Sequence, residues 1–289
     1  MTTSIIIVNY NSGDSLAELL DSLATETRDD TEVIVVDNHS ADESLKTISQ
    51  RGAAIRAVLN DENLGFARAV NQGIAASMGK LILLLNPDVV VSAGALREIE
   101  NATLQDPSVG ISGGKILGAD GRLQLACRRG FPTPWVSFCR LSGLSFLFPG
   151  SGLFARYNLT YLNENEMTPV DAVSGSFMMI RRELLDRIGL FDEDFFLYAE
   201  DLDICYRAKK AGWTVRYVPS AVVVHKKGVC ASKNPVRASY EFYNTMWTFH
   251  RKHFMRSTPF VLNLCIFCAV AVMKYLVPAA VAVRSKLRS

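Results

Sequence analysis

The chain has little net charge of either sign. Its 289 residues carry 31 Lys and Arg against 29 Asp and Glu, a formal charge of +2. With no overall field to attract a polyanion, no nucleic-acid partner is expected. A disulfide framework is missing too. The six cysteines are scattered through apolar or mixed surroundings, and a chain of this length buries a core without covalent staples. They read as reduced thiols. Cys265 and Cys268 form a C-x-x-C, but inside a continuous apolar stretch with no strand before it, which argues for a core or lipid-facing role over redox chemistry. The start, Met1-Thr2-Thr3-Ser4, has neither the charged n-region nor the cleavage site of a secretory leader, so export is not expected. The first apolar run is followed by Asn9-Tyr10-Asn11-Ser12-Gly13 and not by G-x-G-x-x-G, which removes a nicotinamide oxidoreductase from consideration.

What is present is an alternation of strand and helix patterns, predicting an α/β fold whose mainly parallel sheet is flanked by helices. Ile5-Ile6-Ile7-Val8, Thr31 to Val36 and Lys80 to Leu85 are apolar without alternation, as strands buried on both faces are. Ala54 to Leu59 is a weaker strand. Helical patterns follow at Leu16, Leu19, Leu20 and Leu23, and again from Phe66 to Ser77. The segment from Phe131 to Leu153 lacks a period and reads as short helices or a partly apolar loop, either a lid, a lipid-facing surface or ordinary packing. Order returns with a strand around Phe177 to Ile180, a helix from Arg182 to Ile188 and another ending before Gly212. Strands from Thr214 to Val218 and from Ala221 to Val224 follow, with Pro219 stopping the first.

Polar clusters stand at the carboxyl ends of three of these strands: Asn9 with Tyr10, Asp37 with Asn38, and Asn86 with Asp88. Ligands of open α/β sheets bind at that edge, so the clusters should converge on one crevice, although Asn, Asp and Gly also serve simply as turn residues. Asp37 can accept the imide N–H of a pyrimidine base on which Tyr10 stacks. Arg68 and Asn71, on the helix after Asn63-Leu64-Gly65, are further donor-side candidates, with a solvated surface role as the alternative. Asp88 suits a hard divalent cation held mostly by phosphate and water, and His225, at the end of an apolar strand before Lys226-Lys227, is a metal-ligand or structural histidine. Glu200 and Asp201 begin a helix behind Phe195, Phe196 and Tyr198, where one of them can act as a general base or both can cap the helix. Asp203 is spaced to pair with Arg207 instead.

Taken together, SIIIVNYNSGDSL, VIVVDNHSADES, NLGFARAVNQGI, LLLNPDVVV, VSGSFMMIRRELLDRIGLFDEDFFLYAEDLDICYRAKKAGW and VVVH resemble glycosyltransferase family 2, the inverting GT-A enzymes, and within it a bacterial rhamnosyltransferase-like branch. The resemblance runs from about Ser4 to His225. It implies a catalytic domain over 1–235, with a nucleotide-binding half to about 115 and an acceptor half from about 116. It makes Asp37 a base contact and Asn86-Pro87-Asp88 the counterpart of the family's Asp-x-Asp, with Asn86 in place of the first Asp. Asp88 and His225 would then hold Mg²⁺ or Mn²⁺, and Asp201 would be the catalytic base. Ser174, Gly175, Ser176 and Glu200 would line the acceptor side, and Lys227 would close over the diphosphate of the nucleotide-sugar donor. The branch points to dTDP-L-rhamnose; UDP-galactofuranose, UDP-hexoses and UDP-N-acetylhexosamines stay open. A non-catalytic sugar-nucleotide scaffold is the other reading, while a processive synthase would need more apolar helices than the chain has.

Residues 236–289 look like a membrane-associating tail. Arg237 to Arg256 interleaves aromatics with cations, suiting an interfacial helix. The apolar stretch from Thr258 is interrupted by Lys274 and reaches the roughly 20 residues of a span only if that lysine snorkels. Basic residues on both flanks favour a monotopic or re-entrant anchor over a full span. The expectation is a protein at the cytoplasmic face of the plasma membrane with a lipid-linked saccharide acceptor; no feature of the sequence speaks to oligomeric state.

Overall fold

In the computed structural model, which describes residues 1–52, 55–226 and 235–286, the first half of the chain builds a parallel sheet. Strands β1 (Thr3–Asn9), β2 (Thr31–Asp37), β3 (Arg56–Leu59) and β4 (Leu81–Leu85) lie in the order β3-β2-β1-β4. Helices α1 (Ser15–Ala24), α2 (Ser44–Arg51) and α3 (Phe66–Ala76) provide the crossovers. The unalternating runs are buried on both faces as the sequence requires: Ile5, Ile6, Ile7, Ile34, Val35, Val36 and all of β4 have essentially no exposed surface. Leu16, Leu19, Leu20 and Leu23 form the buried stripe of α1.

Register then decides where chemistry can happen. Asn9 lies opposite Asp37 and Ile7 opposite Leu85, so residues just past β1, β2 and β4 emerge along a single edge.

The second half makes the sheet mixed. After β5 (Val89–Val91), α4 (Ala95–Leu104) and β6 (Val109–Leu117), the chain runs through β7 (Arg128–Arg129), α5 (Pro134–Leu141), α6 (Leu144–Leu147), β8 (Thr168–Pro169) and β9 (Ala172–Val173). Strand β10 (Phe177–Arg181) returns antiparallel between β4 and β6. Helices α7 (Arg182–Ile188) and α8 (Glu200–Lys210) lead to β11 (Thr214–His225), parallel to β6 and antiparallel to β5. The path is β3-β2-β1-β4-β10-β6-β11-β5, with β8 added on β11 and a separate β7-β9 pair.

The two strands expected on either side of Pro219 are one. β11 keeps its pairing with β6 past the proline, with a register shift between Val218 and Val222. A proline lacks the N–H of a regular ladder but is accommodated at a bulge, and the strand continues to deliver His225 to the edge.

Gly65 shows how closely the two halves meet. Its φ is +86°, and a Cβ there would lie 2.7 Å from Phe196 Cδ2 and 2.8 Å from the Phe196 carbonyl oxygen. The Phe66 N–H donates to that same carbonyl at 2.7 Å. Gly65→Ala therefore combines a left-handed backbone with a clash against backbone, and thermal unfolding should show a loss of about 2 kcal/mol or more.

At the C-terminal end, α9 (Pro235–His253) is docked against α8 and the loop before it. Phe249 is buried against Tyr206 and Phe254, His253 pairs with Asp203 at 2.7 Å, and Lys252 reaches Asp194 at 2.7 Å and Asp192. Several aromatics and cations expected at a membrane interface are used here for docking. α10 (Phe260–Lys286) packs along α9, and its segment Phe260–Val283 is long and apolar enough to cross a membrane, with most of its surface exposed. Lys274 does not break it, because its ammonium donates to Asn244 at 2.8 Å and lies 4.4 Å from the centre of the Tyr240 ring, both on α9.

Candidate active site

At the β1 and β2 ends the polar side chains knit into one network. The Asn9 amide donates to Asp37 Oδ1 at 2.6 Å and to Ser44 Oγ at 2.8 Å, and the Ser40 N–H donates to Asp37 Oδ2 at 2.9 Å. Asn38 continues it, accepting the Leu64 N–H at 3.0 Å and donating to Asn63 at 3.0 Å. Asp37 is thus a buried carboxylate with one donor on each oxygen, and a carboxylate has roughly four acceptor positions, leaving capacity for an incoming N–H. Tyr10 is half-buried at the same edge.

Arg68 and Asn71 face elsewhere. Arg68 is exposed, with Glu193 3.9 Å away. Asn71 donates to the Phe191 carbonyl and Glu193 at 2.9 and 3.0 Å and accepts the Phe191 N–H at 3.0 Å, so its amide clamps α3 to the loop before α8. Lys227 lies outside the described residues. Its neighbour Lys226 bonds Glu18 on α1, and the Lys226 N–H holds the Asp88 carbonyl at 2.9 Å.

Asp88 and His225, far apart in sequence, meet between β4 and β11: Asp88 Oδ1 and His225 Nε2 are 3.0 Å apart, and both residues are buried. Gln124, which no motif singles out, fixes how they face each other. Its Nε2 donates to the His225 carbonyl at 2.8 Å, which turns its Oε1 toward His225 Nδ1 at 3.0 Å, so Nδ1 carries the hydrogen. The Nε2 lone pair then points at a carboxylate oxygen, two acceptors that oppose each other unless a proton or a cation lies between them. Among the described residues no group of three or more His, Cys, Asp or Glu could hold a metal. One carboxylate and one imidazole suit a cation that takes its other ligands from phosphate and water, so the residues present fit Mg²⁺ or Mn²⁺.

The Ser174-Gly175-Ser176 segment joins this cluster to the start of α8. Asn86 Nδ2 donates to Ser176 Oγ at 3.1 Å, and Ser174 and Ser176 bond at 3.2 Å. The Gly175 N–H donates to Asp201 Oδ2 at 3.1 Å, and Arg129 from β7 donates to that oxygen at 2.5 Å. Burial works against the Arg129 charge, but the Asp201 carboxylate outweighs it and holds the guanidinium firmly protonated. Tyr198 and Ala199, with φ of +71° and +66°, force the sharp entry that places Glu200 and Asp201 in the first turn of α8. Asp203 serves structure: burial alone would raise its pKa, but His253 and Arg207 hold it below the usual range.

Glu200 is the electrostatic outlier. Burial, reinforced by the neighbouring Asp201 charge, pushes its carboxyl up to about 8, and its Oε2 is buried without a hydrogen-bond partner. In an unfolded chain the ordinary value is 4.5. Below that value both states are protonated and the contribution to stability is complete; it drains as pH rises from about 4.5 to about 8, where the unfolded chain alone gives up its proton. Glu200→Gln should flatten this decline, so that the variant's melting temperature gains on the wild type between pH 5 and pH 8. Equal pH slopes in a thermal-shift series would refute the assignment.

The fold is that of the GT-A glycosyltransferases: the Staphylococcus aureus TarS 1-349 crystal structure superposes with a TM-score of 0.56 at 18% identity, covering 86% of this chain and 64% of that one. GalNAc-T7 with UDP, GalNAc and Mn²⁺ superposes with a TM-score of 0.58 at 18% identity over 86% of this chain and 51% of that one, so the chain spans only half to two thirds of these structures. The family model "Glycosyl transferase family 2" matches residues 4–189, and the chain belongs to that family, as a glycosyltransferase. Among relatives, it is 30% identical over 243 residues to the N-acetylglucosaminyl-diphospho-decaprenol L-rhamnosyltransferase of Mycobacterium tuberculosis H37Rv, covering 80% of this chain and 78% of that protein. It is 29% identical to the Low-salt glycan biosynthesis hexosyltransferase Agl10 of Haloferax volcanii, over 83% of this chain and 71% of the relative.

Proposed function

We propose that the protein is a metal-dependent inverting glycosyltransferase that moves a sugar, with L-rhamnose from dTDP-L-rhamnose as the leading donor, onto a hydroxyl of a lipid-linked saccharide in cell-envelope glycan synthesis. The observation that carries the reading is the pairing of Asp88 with His225 on the same sheet edge as Asp201, the two joined through Asn86, Ser176 and Gly175. The donor and acceptor assignments draw on the mycobacterial relative, whose name states a decaprenol-linked acceptor and a rhamnosyl product. UDP-sugars remain the alternative donors.

In this reading Asp37 accepts the imide N–H of the base and Tyr10 stacks on its face, while Asn9 and Ser40 hold the Asp37 carboxylate in place. Asp88 and His225 would hold Mg²⁺ or Mn²⁺, which would supply positive charge for the departing diphosphate. Asn86, bonded to Ser176, takes the place of a carboxylate at the sugar or ribose. Asp201 accepts the proton of the acceptor hydroxyl as that oxygen bonds to the anomeric carbon and the carbon–diphosphate bond breaks on the opposite face, inverting the configuration. Arg129 and the Gly175 N–H both donate to Asp201 Oδ2 and so fix how the carboxylate is aimed. Lys227 is a diphosphate contact by its place in the sequence alone, and Ser174, Gly175, Ser176 and Glu200 line the acceptor. Residues 1–235 form the catalytic unit, and 236–289 hold it at the cytoplasmic membrane surface through α10.

Calorimetric titration with nucleotide diphosphates and their sugars, with and without Mn²⁺, tests this. Mn²⁺-dependent binding of a thymidine or uridine donor supports it and names the donor. No binding across the panel would overturn it in favour of a scaffold.

A further inference from the structure

We infer that the α5–α6 hairpin is a second membrane contact, an interfacial wedge that enters the surface of an anionic bilayer alongside α10. The side chains of this short segment are exposed where a water-facing hairpin would bury them: Phe146 by 84%, Leu141 by 72%, Leu147 by 68%, Leu153 by 58%, Phe138 by 55% and Trp135 by 46%. So dense a run of exposed large apolar groups is unusual on a soluble surface and calls for a partner. The hairpin is ordered by its own chemistry. Thr133 caps α5 through the Val136 N–H at 3.3 Å, with Pro134 at the first helical position, and Trp135, Phe138, Phe148 and Phe154 cluster ring on ring. Phe131, Trp135, Leu153 and Asp171 line a cavity of about 330 Å³ beside it.

Two observations identify the occupant as lipid. The first is charge. No Asp or Glu occurs from Gly121 to Asn163, while Arg122, Arg128, Arg129, Arg140 and Arg156 do; after Glu241 the chain again has no acidic residue. Arg128 is buried and Arg122, Arg129 and Arg156 face Asp120, Asp201 and Asp171, which leaves Arg140, exposed on α5 among the aromatics, as the cation that complements anionic headgroups. The second is continuity with α10. The Phe131 ring lies 5.1 Å from Tyr206, and Tyr206 lies 5.7 Å from Phe254, six residues before α10 begins at Phe260, itself 79% exposed. The base of the hairpin and the start of the apolar helix thus share one aromatic junction. The consequence concerns the acceptor. Arg129 bonds Asp201, and Phe131 follows it after Gly130, so seating the hairpin at the headgroups brings the acceptor side of the site to the depth where a lipid-linked hydroxyl presents itself. Only that consequence rests on the proposed lipid-linked acceptor; the membrane contact does not.

The test uses the full chain and vesicles of phosphatidylcholine and phosphatidylglycerol with or without brominated acyl chains, reading tryptophan fluorescence alongside flotation. Trp135 should be quenched by the brominated lipid, so that Trp135→Phe loses most of the quenching of the wild type. Phe146→Asp combined with Leu147→Asp should lose it too, while still floating through α10. Equal quenching in wild type and Trp135→Phe, with flotation retained, would mean that α10 alone touches lipid and overturns the inference, as would a failure of the wild type to float. Calorimetric donor binding in the same preparations reports the proposed transferase reading independently of either result.

Discussion

Asp201→Asn is expected to abolish sugar transfer, with turnover down by about 10³-fold or more, while Mn²⁺-dependent nucleotide-sugar binding survives. The substitution keeps the shape of the side chain and removes its ability to take a proton. Asn can still accept the hydrogen bonds of Arg129 and the Gly175 N–H through its one oxygen. The Leu202 N–H, which now donates to Asp201 Oδ1 at 2.8 Å, would instead face an NH₂ group, and the buried Arg129 would lose its counter-charge. Some stability should therefore be lost, by about 1–3 kcal/mol, and a melting curve must accompany the assay. A folded variant that binds donor and does not transfer is the signature of a missing base. A folded variant that no longer binds donor would remove Asp201 from that role. Arg129→Lys sharpens the distinction, because a lysine preserves the charge but not the directed bond to Asp201 Oδ2, so turnover should fall while Mn²⁺-dependent donor binding stays as it is.

Much of this arrangement was legible in the sequence because strands buried on both faces leave a strong signal. Ile5-Ile6-Ile7-Val8 and Leu81–Leu85 could be placed from composition alone, and their polar exits followed from position. The i,i+4 pair of Asp203 and Arg207 was equally local, and it forms at 2.7 Å. What could not be read depends on contacts between distant segments. Arg129 meets Asp201 across 72 residues and Gln124 meets His225 across 101, and both sit in a stretch without periodicity where no local pattern marks them. A cue for Arg129 existed only in hindsight: a basic pair, Arg128-Arg129, in a segment without acidic residues must find its counter-charge elsewhere. Pro219 misled for a related reason. Its missing N–H ends an isolated strand, but β6 offers a partner long enough for β11 to resume after a bulge. The helix before α10 read as interfacial because aromatic and cationic residues look alike whether they meet headgroups or, as Phe249, Lys252 and His253 do, a neighbouring domain face.

Asp88→Ala should produce the opposite phenotype to Asp201→Asn: donor binding weakened by about 10- to 100-fold in Mn²⁺, and little further change when the metal is withheld. The argument runs through the opposed acceptors. With Gln124 fixing hydrogen on His225 Nδ1, the Nε2 lone pair and the Asp88 oxygen 3.0 Å away share a need for positive charge between them. Removing the carboxylate leaves one imidazole, too few protein ligands to anchor a hard cation against water, so donor would bind as though metal were absent. Gln124→Leu isolates the tautomer. Both metal-facing atoms remain, but the proton can move to Nε2, and Mn²⁺ affinity read by paramagnetic relaxation should fall even in the absence of donor. If Asp88→Ala left metal-dependent donor binding unchanged, the metal assignment would be wrong, and the Asp88–His225 pair would then be an ordinary buried hydrogen bond tying β11 to the exit of β4.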